Sequence, residues 1–295
     1  MKKILLATTM LVGTAGFAAA EVTLSGSAVF GLGYDESIAV GNDTYSVMET
    51  YLTATATVQS DAGLEFGFEQ VFATFSTEDA RSGTGIQNDG TKVYVSGAFG
   101  KLSFGSVSEA DEIGALSDIG GLNGLGVDNV AEAYTGDSSA HNSADINYTG
   151  TFGGFTVALS TNLNGPADVT DSTSAIALKY AFGDAYVAMG YVDTENFGST
   201  ATIYAGGDFS GVSVKAMYSE LDQEVGGKLD SYGVYASYTT GALTLMAEVA
   251  DNDSSADTSY GLGASYDLGG GAAVVGGIAS VDGDTKAEAG VSFEF

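Results

Sequence analysis

From residue 22 onward, apolar and polar positions alternate in short segments closed by glycine-bearing turns. In 285–295, Ala287, Ala289, Val291, Phe293 and Phe295 share one face of an extended strand, and Lys286, Glu288, Gly290, Ser292 and Glu294 share the other. In 260–266, Tyr260, Leu262, Ala264 and Tyr266 point one way and Gly261, Gly263 and Ser265 the other. The segments run to roughly ten residues, the length a tilted strand needs to cross a bilayer, and about sixteen of them can be counted. Period two shows two faces without saying which lies outside.

The connections help to decide. Turns such as 60–63, 99–100, 152–154, 182–184, 240–241 and 268–271 are short and carry glycine. At the other ends lie longer acidic loops rich in Ser, Thr and Asn, at 35–44, 77–90, 164–172, 222–228 and 251–257. Sorting short turns to one side and long loops to the other is expected of a membrane barrel, with apolar side chains outward and polar ones inward. Tyr148, Tyr180, Tyr204, Tyr238 and Tyr266 fall near the turn ends of successive strands, where amphipathic rings would form an interfacial belt.

One stretch refuses to read as a strand. Residues 106–140 carry Glu109, Asp111, Glu112, Asp118, Asp128, Glu132 and Asp137 with no Lys or Arg, and enough Ile, Leu and Val to be ordered. A loop this long within a compact domain is usually functional. It is expected to fold into the mouth of the barrel and carry carboxylates to the narrowest point, with Glu109, Asp111, Glu112 and Asp118 facing the passage and Lys92, Lys101 and Lys179 across the lumen. Its G-G-L-N-G-L-G run, 120–126, lacks the strand-to-helix setting of a phosphate-binding fingerprint.

Composition narrows the picture. Residues 1–20 read as an export signal: a basic start at Lys2 and Lys3, an apolar stretch, and Ala18-Ala19-Ala20 as the small-residue cleavage site. The mature chain would then be one domain, 21–295. Removing Lys2 and Lys3 leaves seven basic residues against 38 acidic ones, a net −31. Such a surface repels nucleic acid and favours cations. With no cysteine there is neither a disulfide framework nor a thiolate metal site. Clustered oxygens at Asp251-Asn252-Asp253 and Asp111-Glu112 suit Ca²⁺, the one cofactor with any candidate ligands, though no twelve-residue calcium loop is present. The only histidine, His141, lies in no G-x-S-x-G or H-E-x-x-H context, and no enzyme is expected.

The hairpin phrases at 148–157 (Y-T-G-T-F-G-G-F-T-V) and 256–267 (A-D-T-S-Y-G-L-G-A-S-Y-D), the segment 100–112 (G-K-L-S-F-G-S-V-S-E-A-D-E) and the closing V-S-F-E-F resemble the general, non-specific porins of alphaproteobacteria. The resemblance spans the mature chain. It implies an all-β transmembrane antiparallel barrel of sixteen strands in the outer membrane, a homotrimer, and a third loop folded inward as a constriction. It also implies that the terminal aromatics, Phe293 and Phe295, form the assembly signal, and that the trimer contact lies near the first strands and the closing one, with the loop carrying Arg81 reaching a neighbour. Where such porins set arginines on the wall opposite the loop, this chain has Thr53, Thr55, Thr57, Glu65 and Glu69, with Lys92 and Lys101 the nearest cations. The function this implies is a water-filled channel for passive diffusion of ions and small hydrophilic solutes, with cations preferred. The alternatives are a substrate-selective outer-membrane channel and a secreted β-rich surface adhesin.

Overall fold

The computed structural model describes residues 21–38, 43–76, 86–136, 144–163 and 172–295. The export segment, Arg81 and His141 lie outside the described residues. Sixteen antiparallel strands close into one barrel in which each strand pairs with its sequence neighbours and β1 (Glu21–Asp35) pairs with β16 (Asp284–Glu294). The seam is sealed at its end by a reciprocal pair, Gly26 N–H to Phe295 O at 2.8 Å and Phe295 N–H to Gly26 O at 2.9 Å. Closure removes the unpaired edges that an open sheet would present.

The alternation settles which face is out. Leu262 is 63% exposed and Leu24 67%, and Phe30, Phe68, Ile176, Ile203 and Ile278 also face outward. In water each such side chain would forfeit roughly 1.5–3 kcal/mol relative to burial; a continuous apolar outer band belongs in hydrocarbon. Inward positions hold Thr200, Thr202, Ser219, Ser231 and Ser259, all buried.

Two sequence expectations need correction. Tyr204 is not in the outer belt: on β10 (Gly198–Phe209) it is Ile203 that faces out, whereas Tyr204 is 3% exposed, its ring packed inside the barrel on Gly114. The expected loop at 222–228 is trimmed at its ends, with 224–227 left between the strands. β11 (Val212–Gln223) and β12 (Lys228–Thr240) pair as far as Asp222 with Lys228, leaving a tight turn.

Candidate functional site: an inward loop and the passage it leaves

After β5 (Gly100–Val107) the chain turns into the barrel. A single 3-10 turn at Ala110–Glu112 starts the loop and a short helix, α1 (Val127–Ala131), returns it. The neck is fastened by Ala110 N–H to Ser160 Oγ at 2.9 Å and by Gly136 N–H to Asp111 Oδ2 at 2.8 Å, so residues 109–136 form a lobe with its two ends together.

Glycines on the inner wall let the lobe approach. A Cβ at Gly190 would lie 2.7 Å from Asp111 Cβ, and one at Gly233 would lie 2.5 Å from Ala131 Cβ and 2.6 Å from Leu116 Cδ1. Ile119, with no exposed surface, seats on Gly261. These lobe side chains join inward residues of the wall, among them Ala188, Met217, Tyr235 and Ala250, in a core lying between loop and barrel.

Polar ties run along the same wall. Lys215 Nζ donates to Ala115 O at 3.0 Å and Ser117 Oγ at 2.8 Å. Ser231 Oγ donates to Ala131 O and Asn252 Nδ2 to Val130 O. Lys179 is not across the lumen as expected: it lies under the lobe, reaching toward Ile113 O at 3.4 Å and over the Tyr186 ring at 3.8 Å. The lobe thus covers the wall from β6 (Ala144–Phe152) round through β16 to the edge of β1, and the free passage lies between it and the wall formed by the other early strands.

The loop carboxylates divide. Asp111 has no exposed surface and Glu109 only 5%, so these two face the neck and wall rather than open water, a correction to the expected pore-facing set. Packing explains it: Asp111 is the side chain wedged on Gly190 and bonded to Gly136. Glu112 is half-buried, and Asp118 keeps an exposed face. The protein crowding around Asp118, and then the neighbouring Asp128 carboxylate, push its pKa up to about 6, against the pull of the Leu125 and Ile119 N–H groups. Asp128 is also shifted up, by its own burial.

The facing wall is as the alternation requires. Thr53, Thr55 and Thr57 on β2 (Thr44–Gln59) stand opposite Val71, Glu69 and Gly67 on β3 (Glu65–Ser76), all on the inner face. Lys92 pairs with Glu69 at 2.7 Å. Lys101 Nζ sits 3.8 Å from the centre of the Tyr94 ring, whose hydroxyl donates to Glu65 at 3.0 Å. Lys92, Lys101, Glu109 and Glu112 line one cavity of 430 Å³ between this wall and the base of the lobe.

Three inward groups that the sequence reading had not given a role matter here: Lys215, Glu248 and Glu288. Glu248 on β13 (Leu243–Asn252) is 4% exposed, and neither of its carboxylate oxygens has a hydrogen-bond partner among the described residues. The signal available in the sequence was a charge at an inward position of a strand. Of the calcium candidates, Asp251 accepts from Thr258 Oγ1 at 2.7 Å and Asp253 from Asp230 N–H at 2.9 Å. Among the described residues no three His, Asp or Glu side chains gather as metal ligands. Phe293 and Phe295 pack ring to ring at 6.2 Å on the last strand.

Comparisons with known proteins agree with this geometry. The family model for Gram-negative porins matches residues 7–286. A porin of Rhodobacter capsulatus is 33% identical over 314 residues, covering 93% of this chain and all of the relative. Two engineered variants of the porin of Rh. blastica superpose with TM-scores of 0.74 and 0.73 at 24% and 25% identity, each across 93% of this chain and the whole of the other.

Proposed function

Since the chain belongs to the Gram-negative porin family, whose members are outer-membrane channels, we propose that it passes ions and small hydrophilic solutes by passive diffusion and prefers cations. The observation that carries the preference is the state of the lysines. All six among the described residues are engaged: Lys92, Lys228 and Lys286 by carboxylates, Lys101 by a ring, Lys179 by a ring and the lobe, and Lys215 by the lobe. Their positive charge is held close to its partners, while the Asp118 carboxylate stays exposed. Charge at a constriction sets which ions enter. Planar-bilayer recording of the purified protein in a salt gradient tests this: the reversal potential should report cation preference, and an anion-favouring value overturns it.

A homotrimer fits the outer surface. On β8 (Thr173–Phe182) through β14 (Ser259–Gly269), tyrosines face outward at two levels, Tyr191, Tyr218, Tyr232 and Tyr260 toward the loop side and Tyr180, Tyr238 and Tyr266 toward the turns. On β16 and β1 through β5 the outward aromatics are phenylalanines, such as Phe30, Phe66, Phe68 and Phe293, with Tyr34 the one outward tyrosine among the described residues. Tyrosine suits a lipid–water interface, so the sector where it is scarce is the one that suits packing against other protomers.

A further inference from the structure

The G-G-L-N-G-L-G run at 120–126, which has no place in a phosphate site, forms the tip of the lobe and closes around a carboxylate of this same chain. Leu122 N–H donates to Glu288 Oε1 at 2.8 Å and Asn123 N–H to Glu288 Oε2 at 3.1 Å, and the Gly124 N–H also faces this group. Gly120, Gly121 and Gly124 have φ of 113°, 99° and 82°, the left-handed region that turns successive N–H groups toward one point. At Gly120 the approach is so close that any Cβ would collide with the Glu288 carboxylate. Such a concave run of backbone donors is an anion nest, here filled from the barrel wall.

The carboxylate is 6% exposed and stands on β16, next to the seam with β1. Beside it Leu122 enters a socket of its own: Cβ atoms at Gly31 and Gly290 would lie 2.6 Å and 3.0 Å from Leu122 Cδ1, and Val47 and Val275 complete the contact. The neck of the lobe, at Glu109 and Gly136, is at its opposite end. Lys215, Ser231 and Asn252 tie the middle, and Glu288 is the wall carboxylate that takes the tip's N–H groups.

From this we infer that Glu288 is the positioning residue of the pore: by docking the glycine-rich tip it fixes how far the lobe projects into the lumen, and therefore the aperture. Hydrogen bonds to a charged group are the strong ones. Their loss should raise the undocked population of the tip by roughly 10- to 100-fold, read as flicker and additional current levels in single channels.

The inference rests on the pore reading, and the experiment separates the two. Wild-type protein, E288A and E288Q are recorded in planar bilayers and their thermal unfolding is followed in detergent. E288A should open with excess noise and added conductance levels while the barrel unfolds at nearly the wild-type temperature. E288Q, which keeps the size and one carbonyl acceptor, should lie between. Because the chain has no cysteine, L122C with V275C in the E288A background offers a rescue: oxidation should silence the noise and reduction should restore it. A wild-type protein that forms no channel sinks the pore reading. A conducting wild type with equally quiet E288A and E288Q, or noise that the disulfide leaves unchanged, overturns the anchor alone.

Discussion

If Asp118 faces the passage, as proposed above, its titration makes the charge there a function of pH. Its pKa of about 6 lies well above its ordinary 3.8, because the protein crowded around its inner side and then Asp128 disfavour the carboxylate. A group titrating there is about 97% ionised at pH 7.5 and about 3% ionised at pH 4.5. At ~6 Å and an effective dielectric of about 40–80, one charge is worth roughly 0.7–1.4 kcal/mol to a passing monovalent ion, which is about a 3- to 10-fold bias in local cation concentration. Reversal potentials in a potassium chloride gradient should therefore lose part of their cation preference as pH falls from 7.5 to 4.5, with a midpoint near 6. D118N should start from the weaker preference and lack the step. The same shift has a stability consequence of defined sign. With the folded-state pKa raised, the contribution of this group is fully present below about 3.8 and is lost as pH rises through about 6, so the lobe seats more firmly in mild acid. A wild-type selectivity flat from pH 7.5 to 5, or an undiminished step in D118N, would refute the reasoning.

Three further outcomes follow from the geometry. Ile119→Ala empties a fully buried seat at a cost of roughly 2–5 kcal/mol, expected to appear as undocking of the lobe and new protease cleavage within it; melting of the barrel by that whole amount with a quiet channel would place Ile119 in the wrong role. Phe68→Arg puts a charge on the phenylalanine-faced outer sector, where burial against a protomer is costly; native gels should shift from trimer to folded monomer, and intact trimers would move the contact elsewhere. With Asp251 engaged by the Thr258 hydroxyl and Asp253 by the Asp230 N–H, EDTA should leave thermal unfolding unchanged, and a clear drop would reinstate calcium as a ligand.

The barrel was legible because alternation is local. In 287–295 five consecutive outward positions are Ala, Val or Phe, and most short turns announce themselves with glycine. Tyr204 was misplaced because the wall beneath the lobe is apolar on both faces: Val192, Met217 and Val275 point inward yet are buried, which blurs the period of two where the loop lies. The carboxylates of the loop were visible as charge but not as direction. Whether Asp111 meets water or Gly190 depends on a partner far along the chain, and the tip of the lobe meets Glu288 166 residues away. Glu288 itself was read on the polar face of the last strand. Nothing in its neighbours indicated that the far end of a loop would close on it.

Because β1 finds its second partner only in β16, two raw β-edges persist until that strand has been made. No partial product can hide them within its own sheet. Ring closure is therefore a late, all-or-none event, and a molecule lacking β16 has no closed sheet to fall back on.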